Sequence, residues 1–291
     1  MGRETFWTAD PAELLRVGEG FRLAAVDTDG HPGFDGGKAA GRAALAEGAA
    51  VLNELQEQLF ANNVVTGDPR RVLLVLQAMD SAGKGGIVNH VMGAVDPQGV
   101  HLVSFKKPTA EELEHDFLWR VHRQVPGAGK IGVFDRSHYE DVLIGRVRSL
   151  APADEIERRY GAINDFEAEL AATGTTIVKV MLHISKDEQK QRLGDRLARA
   201  DKHWKFNPGD LDTRSKWPAF QEAYADVFRL TSTEDAPWYV VPADKKWYSR
   251  LAITEILTRT LEELDPQWPV ADFDVEEMKK ALVATGEDAP A

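Results

Sequence analysis

Two short segments carry residues that could do chemistry on phosphate. The first is Gln77-Ala78-Met79-Asp80-Ser81-Ala82-Gly83-Lys84-Gly85-Gly86, which follows the apolar run Val72–Leu76 and precedes a helical pattern. A glycine-rich turn between a buried strand and a helix presents inward-pointing backbone N–H groups and the positive end of the helix dipole, which together suit an anion. Gly83, Gly85 and Gly86 let the backbone approach phosphate oxygens closely, Ser81 and Ala82 add backbone donors, and Lys84 supplies a full positive charge. Against the pattern G-x-x-x-x-G-K-[ST], Ala78 replaces the first glycine and Gly85 replaces the metal-binding hydroxyl. Asp80 offers a carboxylate instead, a good ligand for a hard divalent cation.

The second segment is Asp135-Arg136-Ser137-His138-Tyr139-Glu140-Asp141, which ends the apolar run Ile131–Phe134. A carboxylate at the C-terminal end of a buried parallel strand lies where such sheets bind ligands. Helix capping by Asp135 or Ser137 would explain one polar residue there. It would not explain Arg136 beside it, or the acidic Glu140-Asp141 pair a turn later. Asp80 and Asp135 together suit Mg2+, with Mn2+ as a substitute, held between phosphate chains during phosphoryl transfer.

Cations gather in two further places. Between Lys190 and Lys205 stand six Lys or Arg (190, 192, 196, 199, 202, 205) against Asp195 and Asp201, and Arg214 and Lys216 continue the run. In a chain of 35 Lys+Arg and 47 Asp+Glu, net −12, this is a local reversal of sign. Arg192, Arg196 and Arg199 share a helix face. A solvated face is one reading; a lid that closes cations over a polyanion is the other. Lys106 and Arg120 follow the second apolar run and are expected to face the same phosphate path.

The elements that must position these residues follow from periodicity. Apolar runs at 72–76, 100–105, 131–134, 176–184 and 238–241 read as strands buried on both faces. Helical patterns lie between them at about 84–95, 109–124, 154–173, 186–200, 214–231 and 245–264, with a further helix over 38–61. The alternation predicts an α/β protein with a doubly wound parallel sheet of about five strands. Residues 1–38, rich in Gly and Asp, read as a loosely ordered arm, 39–265 as the catalytic domain including a lid at 186–217, and 266–291 as an acidic peripheral tail.

Composition narrows the function classes. The absence of cysteine excludes disulfides, cysteine–zinc sites and thiol nucleophiles, and suits a cytoplasmic protein. The net charge argues against nucleic acid or an anionic membrane as partner. Met1–Asp10 does not read as a leader, and no apolar stretch approaches a membrane span. The histidines form no H-E-x-x-H pair.

Taken in order, LQAMDSAGKGG (76–86), DPQGV (96–100), SFKKPTAEELEHDFLWRVHRQVP (104–126), FDRSHYEDVL (134–143), LGDRLARADKHWKFNPGDLDTRSKW (193–217) and APWYVVPADKKWYSRL (236–251) resemble the polyphosphate kinase 2 family. The resemblance covers about residues 40–265. It implies a P-loop kinase-like fold with a helical lid. It also implies an enzyme that moves phosphoryl groups between inorganic polyphosphate and nucleoside mono-, di- and triphosphates, and a homo-oligomer, dimer or tetramer. By the same resemblance Asp80 and Asp135 are the metal-binding pair, Lys84 and Arg136 contact phosphate, and Arg196, Lys202, Lys205 and Arg214 belong to the lid. The SHYED stretch resembles the subgroup that accepts both mono- and diphosphates, and the resemblance places its Glu140 among the phosphate- and nucleotide-binding residues. Two other functions fit part of the pattern: an ATP-dependent nucleotide or small-metabolite kinase on the same fold, and a nucleotide or polyphosphate sensor without turnover.

Overall fold

A computed structural model describes residues 6–287. In chain order the elements are α1 (Pro11–Leu15), α2 (Lys38–Thr66), β1 (Arg71–Ala78), α3 (Lys84–His90), β2 (Val100–Ser104), α4 (Trp119–His122), β3 (Ile131–Asp135), α5 (Glu140–Val147), α6 (Ala153–Ala172), β4 (Thr175–His183), α7 (Lys186–Leu197), α8 (Gly209–Ser215), α9 (Trp217–Thr231), β5 (Trp238–Pro242), α10 (Lys246–Leu264) and α11 (Val275–Glu287). Short 3-10 turns punctuate the connections.

The five strands form one sheet in the order β2-β3-β1-β4-β5. Every pairing is parallel. The apolar runs are the reason: Val72–Leu76 and Ile131–Phe134 are buried on both faces, as a sheet covered by helices requires. Successive strands are laid to either side of β1, with β3 next to it on one side and β4 on the other, so a crevice opens at the C-terminal ends of these strands. Leu76 of β1 pairs with Asp135 of β3, which pairs with Ser104 of β2, so the two chemistry-bearing segments leave the sheet side by side.

The helices depart from the periodic reading in several places: α1, α5 and α11 lie outside the segments it marked, α3 stops at His90, and two further segments are broken. Residues 109–124 form turns and the single turn α4, because Asp116 closes a local turn on Leu118 N (3.0 Å) instead of continuing a helix. The segment read as 214–231 divides into α8 and α9, with Pro218 inside the first turn of α9, where a proline cannot continue the preceding helix.

The N-terminal segment corrects the expectation of a loose arm over its described part. Leu15, Val17, Leu23 and Phe34 are buried, Val17 N donates to Trp238 O (2.8 Å), and Arg16 bridges Tyr239 in antiparallel fashion. The segment therefore packs on the body of the protein, and its residues Arg16 and Val17 cover the β5 edge of the sheet. At the other end of the chain α11 lies exposed. No helix among the described residues is long and apolar enough to cross a membrane.

Candidate active site

The loop after β1 is held from behind. Arg192, buried on α7, donates to Ser81 O (3.2 Å) and Ala82 O (2.7 Å) with one nitrogen, and to Ala243 O (2.7 Å) and Asp244 O (2.9 Å) with the other. Its Nε donates to Glu188 (2.7 Å), and Gln189 Nε2 donates to Asp80 O (2.9 Å). With these carbonyls engaged, the other edge of the loop, Ser81 to Gly83 and Gly86, lines a cavity. Gly83 precedes α3 at φ +131°, which a side chain would strain. Ser81 adopts φ +68° despite its side chain, and its buried Oγ has no hydrogen-bond partner among the described residues. Lys84 folds back so that Nζ lies 3.5 Å from Ala78 O.

Beside this loop lies an acidic centre. Arg136 Nη2 is 3.3 Å from Asp80 Oδ1, and Arg136 N donates to Leu76 O (3.1 Å). Arg136 takes φ +64°, a second strained position at the same strand ends. Asp135 accepts from Ser104 Oγ (3.3 Å). Burial works against the Arg136 charge, but Glu140, Asp80 and Asp135 outweigh it and raise its pKa. Glu140 is raised by burial, with Arg136 and Lys84 opposing. Gln77, with its amide assigned to satisfy its neighbours, donates to Glu140 Oε1 (2.9 Å) and accepts from Ser137 N (3.2 Å). Asp80, Lys84, Asp135, Arg136 and Glu140 thus form one charged centre, in which Glu140, expected to bind phosphate or nucleotide, is a buried counter-charge of Arg136 held by Gln77.

The lid closes the cavity from the other side. Arg196 pairs with Asp210 (3.6 Å) and donates to Lys205 O (3.2 Å), which ties α7 to α8. The cavity, of about 380 Å³, is lined by Arg192, Arg196, Arg199, Lys202, Lys205, Lys246 and Arg250, with Asp195 as its sole carboxylate and no aromatic ring. Of the expected phosphate-binding residues, Ser81, Ala82, Gly83, Gly86, Arg196, Lys202 and Lys205 meet here. Gly85 is on the exposed side of α3, and Lys106 is exposed on its loop. Arg120 and Arg214 are engaged within the protein. Arg120 donates to Lys106 O (2.9 Å) and bridges Asp141 (3.5 Å) and Glu112 (3.8 Å). Arg214 donates to Lys186 O and to Gln189 Oε1 (3.1 Å).

Lys246 and Arg250 were not singled out from sequence, although the spacing i, i+4 after the apolar run 238–241 places two cations on one face at the start of a helix. Gln189 carries no signal in the sequence, and Arg192, read there as one of the lid cations, hides its role as a strut: a buried arginine that binds carbonyls looks in sequence like any other member of a basic run.

A parallel sheet whose first loop is built for anions, with paired carboxylates beside it and a cationic lid above, defines a phosphoryl-transfer protein of the P-loop kinase-like class. The chain belongs to the polyphosphate kinase 2 family: the Polyphosphate kinase 2 (PPK2) family model matches residues 37–269. The AMP/ADP-polyphosphate phosphotransferase of Meiothermus ruber is 50% identical over 249 residues, covering 86% of this chain and 91% of that protein. The ADP-polyphosphate phosphotransferase of Rhodopseudomonas palustris is 44% identical over 230 residues, covering 75% of this chain and 78% of that protein. The crystal structure of Polyphosphate Kinase 2 from Arthrobacter aurescens TC1 superposes with a TM-score of 0.93 at 59% identity, covering 96% of this chain and 98% of that one.

Proposed function

We propose that this chain transfers a terminal phosphoryl group between inorganic polyphosphate and a nucleoside di- or monophosphate, directly and in line. The observation that carries the reading is the composition of the cavity. Six cations besides the strut Arg192, against one lining carboxylate and with no aromatic ring in the lining, suit a bare chain of phosphates rather than a nucleoside. The nucleotide then approaches from the side of Asp135 and Arg136, and the two anions meet at the loop. Its phosphate oxygen attacks the terminal phosphorus of the chain, and the bond to the next phosphate breaks with its electron pair on the shortened chain. The attacking phosphate is already largely ionised near neutral pH, so no general base is needed, and Glu140 is free to serve as support.

Asp80 and Asp135 would hold the Mg2+, or Mn2+ in its place. Among the described residues no three His, Cys, Asp or Glu side chains form a ready metal cage. Mg2+ does not require one, since it is commonly bound through one or two carboxylates with water and phosphate oxygens completing the shell. Bound there, the ion would screen the repulsion between the two phosphate chains. Lys84, Arg136 and the lid cations take the rest of that charge.

The test is transfer with polyphosphate as sole donor. With Mg2+, ADP should yield ATP and AMP should yield ADP, and a chelator should abolish both. Failure of both, together with ATP-dependent phosphorylation of another small molecule, would identify an ordinary ATP-dependent kinase. Polyphosphate binding without turnover would identify a sensor. The same reading includes assembly into a dimer or tetramer and a cytoplasmic location. The exposed apolar residues Val275, Met278 and Leu282 along one side of α11 support assembly, and light scattering on the full chain measures it.

A further inference from the structure

The line of cations does not stop at the cavity. Arg250 lies over the phosphate loop: a methyl group built on Gly86 would sit 3.5 Å from its Nη2 and 3.8 Å from its Nε. Farther out, on the neighbouring helix, comes Arg42. Gly41 packs so closely on the ring of Trp247 that a methyl group there would collide, and this contact brings Arg42 alongside the start of α10. Arg42 is exposed. Arg250 is held below its ordinary pKa by burial and by the charge of Arg42, and His90 is lowered by burial and by the charge of Arg250. Arg250 therefore sits within electrostatic reach of both Arg42 and His90.

None of Arg42, Lys246 and Arg250 has an ion-pair partner within 4 Å among the described residues, while most other arginines of the chain are paired. Unpaired cations lined up against their own repulsion, in a chain of net charge −12, form a local field that attracts a polyanion. The occupant is distinguishable by what the trail lacks. Single-stranded nucleic acid is held by stacked bases as well as by charge. Beside Arg250 and Arg42 the ring of Trp247 is already packed among His31, Phe34 and Tyr248, and the exposed ring of Trp204 lies on the lid against Lys205, away from this end of the trail. A chain of phosphates needs charge alone.

We propose that Arg250, and Arg42 beyond it, form a distal subsite for the unreacting part of a polyphosphate chain, so that long chains bind more tightly than short ones. The proposal rests on the cavity being the polyphosphate site, as argued above. Arg42, outside the cavity, is the residue to change. With ADP as acceptor, kcat and KM are measured for a donor of several tens of phosphates and for tripolyphosphate, in the parent and in Arg42→Ala, Arg42→Glu and Arg42→Lys. KM for the long donor should rise about 3-fold in the alanine variant and about 10-fold in the glutamate variant, and return towards the parent in the lysine variant. KM for tripolyphosphate, and kcat with either donor, should not change. An unchanged long-donor KM in Arg42→Glu, or an equal rise for both donors, would overturn the subsite. Equilibrium dialysis of both donors against the parent and Arg42→Glu, without nucleotide, separates the two claims. If the parent transfers from neither donor, the functional reading fails, and the subsite still stands or falls on whether only the long chain loses affinity.

Discussion

At the scale of single residues, the site is a set of charges whose positions are fixed by groups that never meet substrate. Lys84 and Asp80 face the reacting phosphates in the proposed mechanism, so Lys84→Ala and Asp80→Asn should each lower kcat by about 100–1000-fold with little change in Tm. Stopped assays with polyphosphate as donor, alongside thermal unfolding, check both halves of that statement. Another prediction concerns His183, at the end of β4 and outside the chemistry. Burial holds its pKa down at about 4 against the ordinary 6.5, with Asp244 pulling the other way. The ring stays neutral in the fold, whereas in the unfolded chain it takes up a proton below 6.5. Stability should therefore fall as pH drops from 6.5 to 4 and level off below, by at most about 3 kcal/mol from this group. Chemical denaturation of His183→Gln across that window should show a shallower slope than the parent.

Among elements, the lid helix and the phosphate loop are mechanically one piece. Ser185 caps α7 by accepting from Glu188 N (3.0 Å), and Arg192 then binds four carbonyls of the loop and of the β5–α10 turn. Arg192→Met keeps the apolar stem but leaves those carbonyls short of donors, and should cost about 2–4 kcal/mol, read as a lowered denaturation midpoint. The strands were legible because burial on both faces writes itself as uninterrupted apolar runs, and the loop because glycine, lysine and aspartate between strand and helix have few other uses. What escaped was decided by partners distant in sequence. Arg120 and Arg214 look like any phosphate-binding cation until Asp141, Glu112, Lys186 and Gln189 are seen beside them. The N-terminal segment is glycine- and aspartate-rich and reads as loose, yet Arg16 and Val17 find the open edge of β5.

Across the whole molecule, a buried charge cluster joins the sheet to the helices beneath the site. Lys179 of β4 donates to Glu167 of α6 (2.5 Å), to Tyr139 Oη (2.9 Å) and to Thr231 O (2.6 Å), while His138 Nε2 meets Glu167 Oε1 at 3.1 Å. His138 and Tyr139 follow Arg136 by two and three positions, so this cluster anchors the segment on which Arg136 leaves the sheet. Lys179→Met strands a buried carboxylate and should destabilise by about 3–5 kcal/mol, whereas adding Glu167→Leu should recover much of the loss, since a buried pair is often no better than apolar packing. Thermal unfolding of the two variants distinguishes a pair that holds the fold from one that is merely tolerated.

The left-handed backbone at Ser81 has a practical consequence. Glycine adopts that conformation freely, so Ser81→Gly would relieve strain in the folded state, against the entropy that glycine adds to the unfolded one. Arg136, left-handed too, offers no such gain, because its removal leaves the buried Glu140 without its main counter-charge. A search for heat-resistant variants scored by melting alone would be drawn to Ser81, where glycine also loosens the turn that aims the loop.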